Sequence, residues 1–152
     1  MTPDRIEEGL WLGPQPLSPE DFDTLRDLGA SDILTLMTEE ESLDSGIHPS
    51  VLARVAMAKG ITLHRVEIPD FSHTALVQRL PAALQLLQRL RAKGRAVYVH
   101  CAAGRNRSPT LVAAYLAVSR GLTPEAACAK VCLLHPPSFP DIDAVRSAVG
   151  HS

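Results

Sequence analysis

The sequence predicts an α/β fold in which a central, mostly parallel sheet of four or five strands is flanked by helices. Short apolar runs alternate with amphipathic helical segments along the chain, as expected when helices cover a sheet. Residues 96–100 form a nearly continuous apolar run, which is typical of a strand buried on both faces of a parallel sheet. Residues 109–119 are apolar on all sides, which predicts a helix at the centre of the fold.

Length and composition favour one domain that spans residues 1–152. Hydrophobic residues make up 45% and charged residues 21% of the chain, which are ordinary values for a globular protein. A net charge of −2 argues against a nucleic-acid partner. The longest apolar run, residues 111–118, is too short to span a membrane, and no signal peptide is apparent. We therefore expect a cytoplasmic monomer without stable membrane insertion, with its three cysteines reduced.

The first elements alternate as a strand, a helix and a second strand. Residues 10–12 predict a short strand. Ser18 precedes a proline and two acidic residues, a typical helix start, and Gly29 ends that helix. Residues 33–37 then predict a buried strand.

The next segment is predicted to hold a loop, a helix and a strand. Residues 38–48 are acidic and are interpreted as a solvated loop, with partner docking as the alternative. Ser50 is expected to cap a helix that Gly60 ends, and residues 61–68 predict a strand.

The second half is predicted to be mainly helical. A helix is expected from Pro81 to residue 93, before the strand at residues 96–100. Thr123 is expected to start a helix that reaches about residue 134, and residues 139–149 predict a last short helix.

The loop between the predicted strand 96–100 and the following helix carries the main functional signal. Cys101 ends the strand, and Pro109 stands at the first position expected for the helix. A short loop there can turn its backbone N–H groups inward, and the helix N-terminus adds unsatisfied donors and positive potential. The sequence therefore predicts a cradle for a tetrahedral phosphate, with Cys101 at its floor as a thiolate. Its phosphate-binding residues are expected to be Ala102, Ala103, Gly104, Arg105, Asn106 and Arg107.

Four residues around this loop suit such chemistry. Gly104 allows the backbone to approach an anion closely, and Arg107 can grip two phosphate oxygens with its planar fork. Ser108 can hydrogen-bond the sulfur, and His100 can support the loop through its ring nitrogens.

The order His100-Cys101-x5-Arg107-Ser108 resembles the signature of the protein tyrosine phosphatase superfamily, and the dual-specificity branch is most similar. Residues 9–13 and 123–136 also resemble that branch. The resemblance implies hydrolysis of phosphomonoesters without a metal or other cofactor, through a phosphocysteine intermediate. It also implies that Cys101 is the nucleophile, that Arg107 clamps the phosphate and that Ser108 aids breakdown of the intermediate.

A general acid must protonate the leaving oxygen, and Asp70 is the predicted candidate. It follows the strand predicted at residues 61–68, so it should lie at the sheet edge where the cradle opens. It precedes Cys101 by 31 positions, and the resembling family takes its acid from a loop about thirty residues before the cysteine. Asp44 is the reserve candidate, and His73 is interpreted as an exposed loop residue that could instead contact Asp70.

The sequence is compatible with two classes of phosphorylated substrate. The preferred hypothesis is a dual-specificity protein phosphatase acting on phosphotyrosine, phosphoserine and phosphothreonine. Arg105 adds a second cation that favours a more highly charged substrate, such as a lipid or another non-protein phosphate, whereas Ala102 stands where lipid-directed members commonly have Lys. Two rival hypotheses are a non-catalytic phosphate-binding module and a rhodanese-type sulfurtransferase.

The remaining cysteines and histidines are assigned no chemistry. Cys128 and Cys132 lie four positions apart on one predicted helix face and are interpreted as core residues. The other histidines show no ligand spacing and receive no role: His48, His64, His135 and His151.

Overall fold

A computed structural model describes residues 1–150, and His151 therefore lies outside the described residues. Its centre is a five-stranded sheet in the order β1-β2-β5-β3-β4, with β1 antiparallel to β2 and the other neighbours parallel. The prediction of a mostly parallel sheet is confirmed. The strands are β1 (Asp4–Glu7), β2 (Leu10–Gly13), β3 (Asp32–Thr35), β4 (Thr62–Arg65) and β5 (Val97–His100).

Helices connect the strands and cover both faces of the sheet. They are α1 (Pro19–Leu28), α2 (Glu39–Asp44), α3 (Pro49–Ala58), α4 (His73–Ala92), α5 (Arg107–Arg120), α6 (Pro124–Leu134) and α7 (Ile142–Gly150). Within residues 1–150, none of them is both long and apolar enough to cross a membrane.

The core lies in two layers because successive strand residues point to opposite faces. On β5, Val97 and Val99 pack into the larger layer and Tyr98 into the smaller one. The larger layer is formed with α4, α5, α6 and α7, and the smaller with α1 and α3. In α5 the eleven residues from Arg107 to Ala117 are all buried, as the apolar pattern predicts.

Helix caps explain why several boundaries were predictable. Ser18 accepts a hydrogen bond from the Asp21 amide and Gly29 adopts a left-handed conformation at φ 96°, so α1 begins and ends as predicted. Thr123 caps α6 in the same way.

Two predictions for residues 38–60 are wrong. The acidic segment is not a loop throughout, because it contains α2, whose first turn is stabilised by three acidic residues and by Thr38 accepting from the Glu41 amide at 3.2 Å. The helix expected to be capped by Ser50 begins at Pro49, and His48 is its N-cap. His48 Nδ1 accepts from the Ser50 amide at 3.1 Å, so this histidine has a structural role.

Two further differences concern β1 and α4. The strand β1 was not predicted, because it carries one apolar residue, Ile6, and owes its conformation to pairing with β2. The helix expected to start at Pro81 starts at His73, where Ser72 accepts from the Ala75 amide at 3.1 Å. Pro81 lies inside α4 and removes one backbone donor there, but the helix continues because its buried face packs into the core through Leu76, Leu80, Leu84 and Leu87.

Candidate active site

The candidate site lies where β5 ends and α5 begins, beside the carboxyl ends of β2 and β3. The loop 101–106 makes this connection. Its last residue, Asn106, is the N-cap of α5 but makes no side-chain capping bond. The first amides of α5 therefore remain donors directed toward the loop, which is the arrangement that favours an anion.

Cys101 and Ser108 meet at the floor of this loop. Their Sγ and Oγ atoms lie 3.1 Å apart, within hydrogen-bond distance. The Cys101 side chain is buried at the end of β5, and Ser108 is fully buried in the first turn of α5. The hydroxyl is therefore placed to hydrogen-bond the sulfur in either direction.

Arg107 is buried beneath the loop, although it carries a charge. Its Nη1 donates to Glu41 Oε1 at 2.8 Å and to the Ile68 carbonyl at 2.8 Å, and its Nη2 donates to Glu41 Oε2 at 2.9 Å. Burial alone would lower the pKa of this guanidinium, but the Glu41 hydrogen bonds and the neighbouring negative groups raise it instead. Among residues 1–150, its Nε has no acceptor, so that edge of the fork remains a donor.

Asp70 joins the same cluster. Its Oδ2 lies 3.3 Å from Arg107 Nη2, and its side chain is about one-third exposed. Asp70 follows β4, and the Phe71 amide donates to its Oδ1 at 3.0 Å. The structure thus brings Asp70 to the signature arginine, at the sheet edge that the strand pattern predicts.

Phe71 itself has an unusual conformation for an aromatic residue. Its φ is 56°, in the left-handed region, and its side chain is fully exposed. It lines a cleft of about 570 Å³ together with Glu41, Asp70 and Ala102. Asp44, the reserve acid, also lines this cleft.

His100 supports the loop from beneath. Its Nδ1 lies 3.0 Å from the Cys101 carbonyl, and its ring stacks on Tyr98 with 5.9 Å between the ring centres. Complete burial, together with the positive charges of Arg65 and Arg107, lowers the pKa of His100 to about 4. The ring is therefore neutral near pH 7, with its hydrogen on Nδ1 because only a donor satisfies the carbonyl.

The loop backbone is held from outside at three carbonyls. The Gln15 amide donates to the Ala102 carbonyl at 3.3 Å, and the Phe139 amide donates to the Arg105 carbonyl at 2.5 Å. His135 Nε2 lies 2.7 Å from the Gly104 carbonyl. Gly104 has a φ of 71°, and a Cβ there would lie 3.0 Å from the Gly13 carbonyl oxygen, so this position requires glycine.

Glu41 and His135 are among the residues of this arrangement that the sequence does not predict. Glu41 falls in the segment interpreted as a solvated loop, yet its carboxylate is the bidentate partner of Arg107. The Thr38-x-x-Glu41 pattern of a capping box could have revealed α2, although not the contact with Arg107. His135 receives no role from the sequence, and its Pro-rich surroundings offer no signal for the contact with Gly104.

The other predicted residues lie as follows. The side chains of Ala102, Ala103 and Arg105 are exposed, and Asn106 Nδ2 donates to the Phe139 carbonyl at 2.9 Å. His73, the first residue of α4, is exposed and pairs with Asp141 rather than with Asp70.

The interpretation of the two remaining cysteines as core residues is correct for one of them. Cys128 is buried, and burial raises the pKa of its thiol. Cys132 is exposed instead.

Comparison with known proteins identifies relatives along most of the chain. Residues 28–141 match the family model of the dual specificity phosphatase catalytic domain. A phosphatidylglycerophosphate phosphatase of Arabidopsis thaliana is 32% identical over 133 residues, covering 88% of this chain and 37% of its own length. Dual specificity protein phosphatase 12 of Homo sapiens is 33% identical over 134 residues, covering 87% of this chain and 36% of its own length. The chain thus spans little more than a third of the length of these relatives.

Solved structures share the fold. PTPMT1 in complex with PI(5)P superimposes with a TM-score of 0.80 at 24% identity, covering 97% of this chain and 92% of that chain. DUSP15 superimposes with a TM-score of 0.74 at 21% identity, covering 97% of this chain and 85% of that chain.

Proposed function

The chain belongs to the dual-specificity phosphatase family, and we propose that it hydrolyses phosphomonoesters through a phosphocysteine formed on Cys101. The observation that carries the proposal is the cluster at the start of α5. Cys101 Sγ lies 3.1 Å from Ser108 Oγ, and the buried Arg107 lies 3.3 Å from Asp70. We propose further that residues 1–152 act as one catalytic domain.

In the first step, the Cys101 thiolate attacks phosphorus in line with the ester oxygen. The S–P bond forms as the P–O bond breaks, and Asp70, as the carboxylic acid, gives its proton to the leaving oxygen. The loop amides and the free Nε edge of Arg107 hold the phosphoryl oxygens, on which charge develops.

In the second step, water hydrolyses the intermediate. The Asp70 carboxylate takes a proton from the water molecule. At the same time the water oxygen bonds to phosphorus and the S–P bond breaks. The Ser108 hydroxyl donates a hydrogen bond to the departing sulfur, which leaves as the thiolate. Inorganic phosphate is released, and the residues return to their starting protonation states.

The preferred substrate class is phosphoprotein, with phosphotyrosine, phosphoserine and phosphothreonine all accepted. The cleft beside the loop is wide and is bordered by exposed residues such as Phe71, which suits phosphorylated side chains of different lengths.

A non-protein phosphate is the second candidate substrate. Two of the relatives support it, the phosphatidylglycerophosphate phosphatase and a phosphoglucan phosphatase of Castanea sativa, whereas dual specificity protein phosphatase 12 supports the first candidate. The exposed cation at Arg105 is consistent with a more highly charged substrate of this kind.

Hydrolysis of p-nitrophenyl phosphate in EDTA tests the chemistry. We expect activity that is abolished in Cys101→Ser and falls roughly 100-fold or more in Asp70→Asn. Cys132→Ser and Asp44→Asn are the matched controls and should keep most of the activity. A reduced wild-type protein without activity, or an active Cys101→Ser variant, would overturn the proposal. Initial rates on phosphopeptides and on phosphatidylglycerophosphate vesicles then distinguish the two substrate classes.

A further inference from the structure

His135, at the end of α6, lies between two oxygen atoms. Its Nε2 is 2.7 Å from the Gly104 carbonyl, and its Nδ1 is 2.5 Å from Asp4 Oδ2. The residue is 4% exposed, whereas the Asp4 side chain is 39% exposed.

The Gly104 carbonyl has no hydrogen to offer, so it can only accept a hydrogen bond. The contact with His135 is therefore a hydrogen bond when Nε2 carries a hydrogen. The contact of Nδ1 with Asp4 holds the ring in the orientation that points Nε2 at this carbonyl.

The contact with Gly104 determines the direction of a loop amide. The peptide bonds of residues 1–150 are trans, and a trans peptide points its C=O and the following N–H in opposite directions. Because the Gly104 carbonyl points to His135, the Arg105 N–H points the opposite way. The Phe139 amide holds the Arg105 carbonyl at 2.5 Å and so turns the Asn106 N–H in the same manner.

The segment 135–139 thus fixes two successive carbonyls of the loop. A loop that binds phosphate through backbone N–H groups needs those groups aligned before the ligand arrives, since aligning them afterwards costs binding free energy. Asp4, His135 and Gly104 come from β1, the end of α6 and the loop, so the contacts join three distant parts of the chain.

We propose that His135, held by Asp4, is a positioning residue that directs the Arg105 amide toward the bound phosphate. This proposal shares one premise with the proposed function, namely that the loop 101–106 binds phosphate. His135 itself touches neither substrate nor Cys101 in this account and acts through the Gly104 carbonyl.

Binding of inorganic phosphate, followed by amide NMR, tests the proposal without requiring turnover. In wild type we expect the Arg105 and Asn106 amide signals to shift on titration. In His135→Ala we expect phosphate to bind roughly tenfold or more weakly, with faster hydrogen exchange at the Arg105 amide. His135→Gln keeps a donor in place of Nε2, so it should restore most of the affinity. His64→Ala is the matched control, because it removes a similar His–Asp pair, with His64 Nε2 2.7 Å from Asp32, that does not contact the loop.

Several outcomes separate this proposal from the proposed function. Unchanged phosphate affinity and exchange in His135→Ala would overturn it, as would a loss of affinity of the same size in His64→Ala. If His135→Ala does not fold, the ring ¹⁵N spectrum of wild type decides. A hydrogen on Nε2 supports the proposal, and an Nε2 without a hydrogen contradicts it. A wild type that binds phosphate with these shifts but does not hydrolyse p-nitrophenyl phosphate would refute the proposed function and leave this inference standing.

Discussion

Replacing Glu41 by Gln should lower both the stability and the phosphatase activity of the protein, because Glu41 hydrogen-bonds the guanidinium of Arg107. The Arg107 side chain is 2% exposed, and two hydrogen bonds of 2.8 and 2.9 Å tie it to the two Glu41 oxygens. Gln keeps one acceptor oxygen and loses the charge. The buried guanidinium is then left with the Ile68 carbonyl and Asp70 as its other partners.

The magnitude follows from the number of bonds lost. One hydrogen bond to a charged group contributes about 1.5–3 kcal/mol. The Glu41 carboxylate is 23% exposed and the other two partners of Arg107 remain, so the lower part of that range applies. We expect the free energy of unfolding to fall by about 1–2 kcal/mol and kcat/KM to fall roughly tenfold.

Urea unfolding and initial rates on p-nitrophenyl phosphate measure the two effects. Glu39→Gln is the matched control, because it removes the same charge from the same turn of α2 at a side chain that is not a partner of Arg107. The reasoning is refuted if the two variants behave alike. It is also refuted if Glu41→Gln raises kcat/KM, since Glu41 would then compete with phosphate for Arg107.

Three further predictions concern the loop and the residues beside it. Because the pKa of His100 is about 4 in the folded protein against 6.5 for a free histidine, the unfolded chain takes up a proton first as the pH falls. Wild type should therefore lose up to about 3 kcal/mol of stability from this group between pH 6.5 and 4. Urea unfolding should show this loss in wild type and not in His100→Asn. The prediction is contradicted if the unfolding free energies of the two proteins change in parallel with pH. Ser108→Ala should slow breakdown of the intermediate more than its formation, giving a larger burst of p-nitrophenol in rapid-quench experiments, whereas equal slowing of both phases would exclude that role. Gly104→Ala should lower stability by about 1–2 kcal/mol, since the position has a φ of 71° and faces the Gly13 carbonyl; an unchanged melting temperature would show that the strain is absent.

The sequence predicted the parts of the site that are local in the chain. Cys101, Arg107 and Ser108 lie within eight residues on one strand–loop–helix unit, so their proximity follows from the secondary structure alone. The position of Asp70 near this loop was also predictable, because Asp70 follows a strand and parallel strands bring their carboxyl ends to one edge of the sheet.

The contacts that hold this unit in place were not predictable from the sequence. Glu41 and Arg107 are 66 positions apart, and His135 is 31 positions from Gly104 and 131 from Asp4. No local pattern encodes such pairs, because they depend on how the helices and loops pack around the sheet. The sequence does not predict the edge strand β1, which contains Asp4, for the same reason, since its conformation depends on pairing with β2.

Trapping of the intermediate tests the central claim most directly. The protein would be mixed with p-nitrophenyl phosphate, quenched within milliseconds in acid and digested, and the phosphorylated peptide would be identified by mass spectrometry. We expect one phosphorylated site, Cys101, whose labelled fraction rises in Ser108→Ala and disappears in Cys101→Ser. Turnover without a phosphorylated Cys101, or phosphate attached to another residue, would contradict it.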